Sequence, residues 1–380
     1  MFDTTVAPDQ PAAAAESWTR REILQQPATL RATQALLDAS AAEIDAFVRP
    51  LLEFPDLRIM LCGAGTSAFI GDCLAPWLSA TLGRPVEAVA TTDIVSAPHL
   101  YLDVARPTLM VSFGRSGNSP ESIAAVELAD ARLASIHHLV ITCNAEGALS
   151  RRAPASGHVV LLPEATHDRA FAMTSSFSAM MLAALSIFTG RGAMPARVEA
   201  IAKAVEAMLA RSECEAATLA AADFERVVYL GSGVFQGLAR EAALKLLELT
   251  DGAIPTAFDS SLGFRHGPKT IVTPRTLVVV FVSNDPLTRL YDLDIIAELR
   301  GDGRCGAVIA IAAQEAPGDT LLVESAAGFA DADLLFPYIV LPQLYGLHCS
   351  LRLNRTPDQP NASGTVNRVV QGVRIHTPAP

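Results

Sequence analysis

Short apolar runs alternate with segments of helical spacing through the first half of the chain. The segments between the runs predict helices at 68–82, 120–133 and 174–188, because their apolar residues recur every three or four positions. The runs predict strands at 57–62, 86–90, 108–113, 138–143 and 158–162. Short strands that are apolar throughout and followed by helices are typical of a parallel sheet covered on both faces. The pattern therefore predicts an α/β fold, with a three-layer, flavodoxin-like arrangement of helices, sheet and helices.

The second half repeats this pattern at an offset of 168 residues. Runs in the two halves align in register, 58–65 with 226–233, 108–113 with 276–281, and 140–141 with 308–309. Three aligned runs indicate an internal duplication rather than a chance similarity. The second copy predicts strands at 226–230, 276–282, 307–311 and 338–341.

This pattern divides the chain into four parts. They are an N-terminal arm with helices (1–52), a first α/β unit (53–195), a linking helix (196–222) and a second α/β unit with a C-terminal tail (223–380). In the first part, Thr19 and Glu22 have the spacing of a capping box, which predicts that a helix starts there. In the tail, 366–373 has the composition of a segment that packs on the fold.

Composition limits the classes of partner. Half of the 380 residues are hydrophobic, enough for two full cores, and the formal net charge of −11 argues against nucleic acid. The apolar runs at 180–185 and 277–282 are too short to span a membrane, and the N-terminus lacks a signal sequence. Six cysteines without CxxC spacing indicate a reduced, cytoplasmic protein with no disulfide framework and no zinc site.

The loop after the run at 108–113 suits an anion. It contains Arg115, Ser116 and Ser119, and it leads into a helix that starts at Pro120. Free N–H groups and the dipole at such a helix start favour negative charge, which fits a phosphate monoester. An ordinary capped turn is the alternative. The second copy reads Val-Ser-Asn-Asp-Pro here and has lost the hydroxyl-rich loop.

A second loop, Gly63-Ala-Gly65-Thr66-Ser67, also follows a strand and opens a helix. It comes close to a dinucleotide-binding pattern, but the next strand ends in a poor place for a ribose-binding acid. Thr66 and Ser67 fit phosphosugar binding better. Both loops are expected at the carboxyl edge of the sheet, where open α/β sheets bind ligands.

Two further segments are candidates for sugar contact. Thr174, Ser175 and Ser176 open a helix, where capping alone would explain one hydroxyl. His266 and Lys269 lie in a loop rich in Gly and Pro. A lone histidine is more often structural, but this one has cationic neighbours in a chain with an anion loop, which favours a function.

In the second copy, Glu241, Lys245 and Glu248 share one face of a mostly apolar helix. Such a Glu–Lys pair is usually a solvated surface pair. Carboxylates on a buried helix need another reason, and a general base is one, since burial raises a carboxylate pKa toward working pH.

Together these motifs resemble the SIS (sugar isomerase) domain family, in particular its AgaS-type members, over nearly the whole chain. These members are known as tagatose-6-phosphate ketose/aldose isomerases and are associated with galactosamine-6-phosphate deaminase/isomerase activity. The resemblance implies an enzyme for an aldo-hexosamine 6-phosphate that needs no cofactor or metal. It also implies a homodimer or larger assembly of this chain with active sites shared between subunits.

The isomerase half of glucosamine-6-phosphate synthase is a more distant relative. By that resemblance Ser67, Ser116 and Ser119 bind phosphate, Glu248 moves a proton between C1 and C2, and Glu241 supports it. His266 of a neighbouring subunit assists ring opening. The synthase has Ser and Gln at Gly114 and Arg115, and a ring-opening Lys near Gln371. Three rival functions stay open, namely an aldose–ketose isomerase, a non-catalytic phosphosugar sensor and an NAD-dependent enzyme.

Overall fold

The computed structural model describes residues 17–102, 105–152, 157–190, 192–370 and 372–376. Within them lie two parallel five-stranded sheets, each flanked by helices, which confirms the α/β class. The first sheet contains β1 (Arg58–Gly63), β2 (Val86–Ala90), β3 (Thr108–Gly114), β4 (Ile136–Thr142) and β5 (Gly157–Leu161). The second contains β6 (Arg226–Gly231), β7 (Thr256–Asp259), β8 (Thr276–Phe281), β9 (Ala307–Ala312) and β10 (Thr320–Leu322).

Both sheets have the same strand order. It is β2-β1-β3-β4-β5 in the first and, counted the same way, β7-β6-β8-β9-β10 in the second. This is the flavodoxin-like order, whose ligand crevice lies at the carboxyl ends of the first and third strands, where the winding direction reverses. The crevice of the first half is therefore expected after β1 and β3, and that of the second half after β6 and β8.

The helices cover both faces of the sheets and join them. Those before and within the first half are α1 (Trp18–Leu24), α2 (Gln26–Ala39), α3 (Ala41–Leu52), α4 (Thr66–Leu82), α5 (Thr91–Ser96), α6 (Pro98–Tyr101), α7 (Pro120–Arg132), α8 (Ala148–Arg151) and α9 (Ser175–Thr189). The remainder are α10 (Met194–Ala221), α11 (Val234–Leu249), α12 (Pro286–Asp302), α13 (Asp331–Tyr338) and α14 (Val340–Arg352). Short 3₁₀ turns occupy Glu164–Thr166, Gly263–Arg265 and Pro268–Ile271.

The predicted strand at 338–341 is wrong, because these residues lie at the junction of α13 and α14. Short apolar runs do not distinguish a buried strand from a buried helix. The whole stretch Asp331–Arg352 is apolar and long enough to cross a membrane by composition alone, but 94% of its apolar window is buried in the fold. It is a core helix pair.

The predicted capping box is also wrong. Ser17 is the N-cap of α1, and its side chain accepts a hydrogen bond from Arg20 N. Thr19 lies inside the helix and donates its hydroxyl to Asp358. The Glu22 carboxylate instead accepts from the backbone of Arg169 and Ala170. The motif was present, but its two side chains serve tertiary contacts.

Helices α4 and α11 pack against each other between the two sheets. At Gly237 an added Cβ would lie 2.5 Å from the backbone nitrogen of Cys73, so only glycine allows this approach. Nearby, Arg240 forms an ion pair of 2.8 Å with Asp72, which stands 168 positions earlier. This contact brings the start of α4 close to the polar face of α11.

Candidate active site

The loop between β3 and α7 forms a rigid cradle. Gly117 has φ +63°, and a Cβ there would lie 3.3 Å from Gly147. Asn144 Nδ2 donates to the carbonyl of Ser116 at 2.7 Å, and Asn118 Oδ1 accepts from Ala148 N at 2.9 Å. These contacts hold the loop from behind and leave its open side toward the crevice.

The start of α7 has no side-chain cap. Ser119 is the N-cap residue, with extended backbone, but its hydroxyl makes no capping hydrogen bond. Pro120 occupies the first helical position, as predicted. An uncapped helix start offers N–H donors and partial positive charge to an anion. The Ser116 hydroxyl lies at this end too, where it accepts from Asn118 N at 3.2 Å.

The loop after β1 has matching geometry. Gly65 is the N-cap of α4, and its φ of 56° and ψ of −131° are a conformation that favours glycine. Because glycine has no side chain, this helix start is also uncapped. Ser67 is 5% exposed. A Cβ on Gly63 would collide with Ser67, so this glycine lets the helix start close to the strand. The structure thus places the two predicted hydroxyl loops after the neighbouring strands β1 and β3.

Arg115 does not point freely from the loop. Its guanidinium donates to the carbonyls of Ala170 and Phe171 at 3.0 and 2.9 Å, and to that of Arg368 at 2.9 Å. Burial and the nearby Arg368 lower the pKa of Arg115 to about 10, while carboxylates including Glu248 oppose them. Three carbonyl acceptors leave Arg115 few donors for a phosphate, so its described contacts are those of a residue that holds the loop.

The hydroxyls at the start of α9 are occupied as well. Asp168, which is fully buried, accepts from the hydroxyls of Ser175 and Ser176, and also from Ser176 N at 2.9 Å. Thr174 donates its N–H to Asp168 at 2.8 Å, while its own buried hydroxyl has no hydrogen-bond partner among the described residues. Of the three predicted sugar contacts, Thr174 is therefore the one whose hydroxyl is not engaged by Asp168, although all three residues are fully buried.

The polar face of α11 contains a buried charge cluster. Lys245 Nζ lies 2.5 Å from Glu248, 3.4 Å from Glu241 and 3.0 Å from the Thr66 hydroxyl. Glu241 and Lys245 are fully buried, whereas the Glu248 side chain is 23% exposed. Glu248 is thus the carboxylate that a substrate can reach. Thr66 connects this cluster to the loop after β1.

Burial dominates the electrostatics of this cluster. It raises the pKa of Glu241 to about 7, opposed by Lys245 and reinforced by Glu248. For Lys245 burial works in the lowering direction, but the two carboxylates outweigh it and raise the pKa. Lys245 therefore stays protonated and holds Glu248 by a charge-assisted hydrogen bond. In the part of the chain that the structure describes, one oxygen of Glu241 is buried without a hydrogen-bond partner.

His266 is exposed and lies between two 3₁₀ turns. Within the described residues no hydrogen bond joins its side chain to the charge cluster of α11. Its neighbours Arg265 and Lys269 form ion pairs with Glu298 on α12, and Lys269 also contacts Asp302 at 2.5 Å. The cationic groups therefore anchor the loop to α12, and sugar contact by Lys269 stays a prediction.

Several residues of this site were not among the predicted site residues. Lys245 was noted on the same face as the glutamates, but nothing in its spacing showed that it would be fully buried. Asp168, Glu22 and Arg368 come together only through the fold. Gln371 lies outside the described residues. Among the described residues no group of three or more His, Cys, Asp or Glu side chains could hold a metal ion.

Comparison with known proteins finds relatives that match nearly the whole chain. The model of the SIS domain matches residues 54–190. The D-galactosamine-6-phosphate deaminase AgaS of Escherichia coli is 48% identical over 372 residues, which cover 96% of this chain and 97% of the relative. The protein of the same name from Shewanella sp. is 43% identical and covers 94% and 92%.

A solved structure extends the likeness to three dimensions. The tagatose-6-phosphate ketose/aldose isomerase from Escherichia coli is 44% identical in sequence, with a TM-score of 0.90. The match covers 97% of this chain and 98% of that one. Identity and coverage at this level place the chain in a family and not only in a fold class. The chain therefore belongs to the AgaS family of SIS-domain enzymes.

Proposed function

We propose that the protein is a deaminase/isomerase that converts D-galactosamine 6-phosphate to D-tagatose 6-phosphate and ammonia. The names of two relatives, D-galactosamine-6-phosphate deaminases, and that of the similar structure, a tagatose-6-phosphate ketose/aldose isomerase, support this substrate class. The observation that carries the proposal is the contact of Thr66 with Lys245 at 3.0 Å. It brings a hydroxyl loop suited to phosphate next to a buried acid–base cluster.

In this proposal the first unit (53–195) holds the phosphate and the second (223–380) does the chemistry. Ser67, Ser116 and Ser119 bind the phosphate oxygens together with backbone N–H groups at the starts of α4 and α7. Arg115 holds its loop in place from behind. The dianion is therefore bound by neutral donors and helix dipoles. In a chain whose net charge is −11, these local dipoles have to offset the overall repulsion of an anion.

Glu248 is the proposed general base. After the ring opens, Glu248 removes the C2 proton, and the C1 aldehyde and C2 amine become an enaminol. Return of the proton to C1 gives a C2 imine. Water adds to C2, and ammonia leaves, which yields the ketose 6-phosphate. Lys245, 2.5 Å away, keeps the carboxylate oriented, and Glu241 supports Lys245 from the buried side.

Ring opening is assigned to His266 of a second copy of the chain. Support comes from its exposure and from the lack of a described contact with Glu248 in its own chain. A symmetric homodimer would supply two such composite sites. Mixing Glu248→Gln and His266→Asn subunits by joint refolding tests this. A shared site should restore roughly a quarter of wild-type activity, whereas a mixture that stays inactive while wild type recovers excludes it.

The function is tested by product analysis. Purified protein should release ammonia and D-tagatose 6-phosphate from D-galactosamine 6-phosphate. Glu248→Gln keeps the shape and removes the basicity, so kcat should fall on the order of 10²–10⁴ with the phosphorylated substrate still bound. Turnover of hexose 6-phosphates without ammonia would establish the isomerase instead. Binding without any turnover would establish a sensor. The setting proposed for this activity is the cytoplasm.

A further inference from the structure

A four-residue segment, 168–171, lies between the N-terminal helix and the phosphate loop. On one side Glu22 of α1 accepts from Arg169 N at 2.5 Å and from Ala170 N at 3.2 Å. On the other side the carbonyls of Ala170 and Phe171 accept from Arg115. The segment therefore connects a carboxylate on α1 to the guanidinium of the phosphate loop.

The surrounding contacts leave this segment little freedom. Phe171 N donates to the carbonyl of Asp358 at 3.0 Å. Arg368 donates to the carbonyls of Asp168 and Ala170, and its own carbonyl accepts from Arg115. Within the described residues, Glu22 is the side chain that holds the N–H groups of residues 169 and 170, and it is only 3% exposed.

Burying this carboxylate is costly. Burial and the neighbouring Asp168 raise the pKa of Glu22 to about 8, against the two backbone hydrogen bonds. A helix cap would satisfy a glutamate at the surface without that cost. In place of capping α1, Glu22 accepts hydrogen bonds from a segment whose carbonyls at Ala170 and Phe171 accept from Arg115.

We propose that Glu22 is a positioning residue for the phosphate site, which it controls through the 169–171 backbone and Arg115. The inference rests on the proposed phosphate site but not on the deamination step. Glu22 does not touch the substrate. It fixes two N–H groups, the segment fixes the guanidinium, and the guanidinium fixes the loop that presents Ser116 and Ser119.

The test measures the dissociation constant of inorganic phosphate by equilibrium dialysis, separately from ammonia release. Glu22→Ala should weaken phosphate binding roughly tenfold, as loss of one or two hydrogen bonds near a charged ligand does. Glu22→Gln retains an acceptor oxygen and should restore most of the affinity. Should Glu22→Ala fail to fold, Glu22→Asp replaces it, because its shorter side chain withdraws the oxygens and should weaken binding similarly.

A double-mutant cycle separates positioning from general stability. In an Arg115→Met background the Glu22 substitution should add little further loss of phosphate affinity, because its effect passes through Arg115. The control is Asp333→Asn, a buried carboxylate paired with Arg197 at 2.6 Å in the second half. It should lower the melting temperature and leave phosphate binding unchanged.

Two results would overturn the inference. One is unchanged phosphate affinity in a folded Glu22→Ala or Glu22→Asp protein. The other is an additive loss with Arg115→Met. Failure of the proposed site is distinguishable, since wild type would then not bind phosphate or Ser116→Ala would bind it equally well. Absence of ammonia release alone would overturn the deaminase assignment and leave the role of Glu22 in phosphate binding intact.

Discussion

The two halves have equivalent crevices, but the helix start at the first crevice is uncapped and the one at the second is capped. In the first half the N-cap of α7 is Ser119, whose side chain makes no capping bond. In the second half the N-cap of α12 is Asp285, whose carboxylate accepts from Leu287 N and Thr288 N. Both helices follow the third strand of a flavodoxin-like sheet. One helix start is open to an anion, and the other already holds one.

Two further carboxylates of the second half also accept hydrogen bonds at its crevice. Asp292 accepts from Ser232, which stands in the loop after β6, and from Ser283 N. Asp331 accepts from Ser283 and Asn284 N. The loop after β8 is also shorter, with four residues (282–285) where the first half has five (115–119). Protein carboxylates thus satisfy the donors that in the first half remain for a phosphate.

The difference shows how one fold supports two roles. A helix start needs an acceptor for its N–H groups, and either a side chain or a ligand can provide it. The second half uses its own aspartates as these acceptors, so its helix start does not need a ligand. The second half instead contributes the polar face of α11 to the candidate site. The equivalent helix of the first half, α4, is apolar on that face.

The largest expected effect comes from giving the first half the cap of the second. Ser119→Asp places a carboxylate at the start of α7, where it should repel the phosphate dianion. Two like charges 4 Å apart repel by about 4 kcal/mol at an effective dielectric constant of 20. KM for the sugar phosphate should rise on the order of 10²–10³-fold, measured by steady-state kinetics. The neutral Ser119→Asn is the matched control, and an unchanged KM in Ser119→Asp would show that the anion binds elsewhere.

A smaller effect is expected at the contact between the halves. Gly237→Ala pushes a methyl group into the backbone of α4, which typically costs about 1–3 kcal/mol and outweighs a helix-propensity gain of about 1 kcal/mol. Chemical denaturation should show a net loss, with a lower kcat because Thr66 moves away from Lys245. At Gly301 in α12 the new methyl group would meet no described atom within 4 Å apart from its chain neighbours and the backbone of its own helix, so Gly301→Ala should be stabilising. Equal behaviour of the two variants would contradict the tight packing.

The smallest effect is expected from opening the second crevice. Asp285→Ala removes the cap of α12 and should lower the melting temperature modestly without changing phosphate affinity. Hydrogen bonds from Thr288 lower the pKa of Asp285, so the cap stabilises the fold above the ordinary aspartate pKa of 3.8. The difference from wild type should therefore disappear as the pH falls through the folded pKa. Altered phosphate affinity in this variant would mean that the second crevice also binds the ligand.

Much of the fold followed from periodicity alone. Strands β1 to β6, β8 and β9 lie within two residues of their predicted positions, since each is a short apolar run. The edge strands Thr256–Asp259 and Thr320–Leu322 were missed because each is only three or four residues long and carries no apolar run of strand length. Residues 338–341 were assigned wrongly because a helix that is buried all round loses its 3.6-residue period.

The candidate site was predictable where it depends on local sequence. Ser67, Ser116 and Ser119 could be found from glycines and hydroxyls at helix starts. Their roles, like those of Glu248 and His266, stay predictions. The use of Ser175 and Ser176 by Asp168 could not be foreseen, because that carboxylate reaches them through a turn of the chain. Glu22 has the spacing of a capping box, but its carboxylate accepts hydrogen bonds from a distant segment and does not cap the helix.

The bond between Thr66 and Lys245 has a consequence for cooperativity. The proposed phosphate loops and the proposed base lie in different halves, so neither half folded alone would contain a working site. A partial opening between α4 and α11 would hydrate Lys245 and Glu241 and disconnect binding from proton transfer, while both sheets kept their hydrogen bonds. Activity should therefore disappear at lower denaturant concentrations than the α/β secondary structure does. The contact between α4 and α11 thus limits the denaturant concentrations at which the enzyme works.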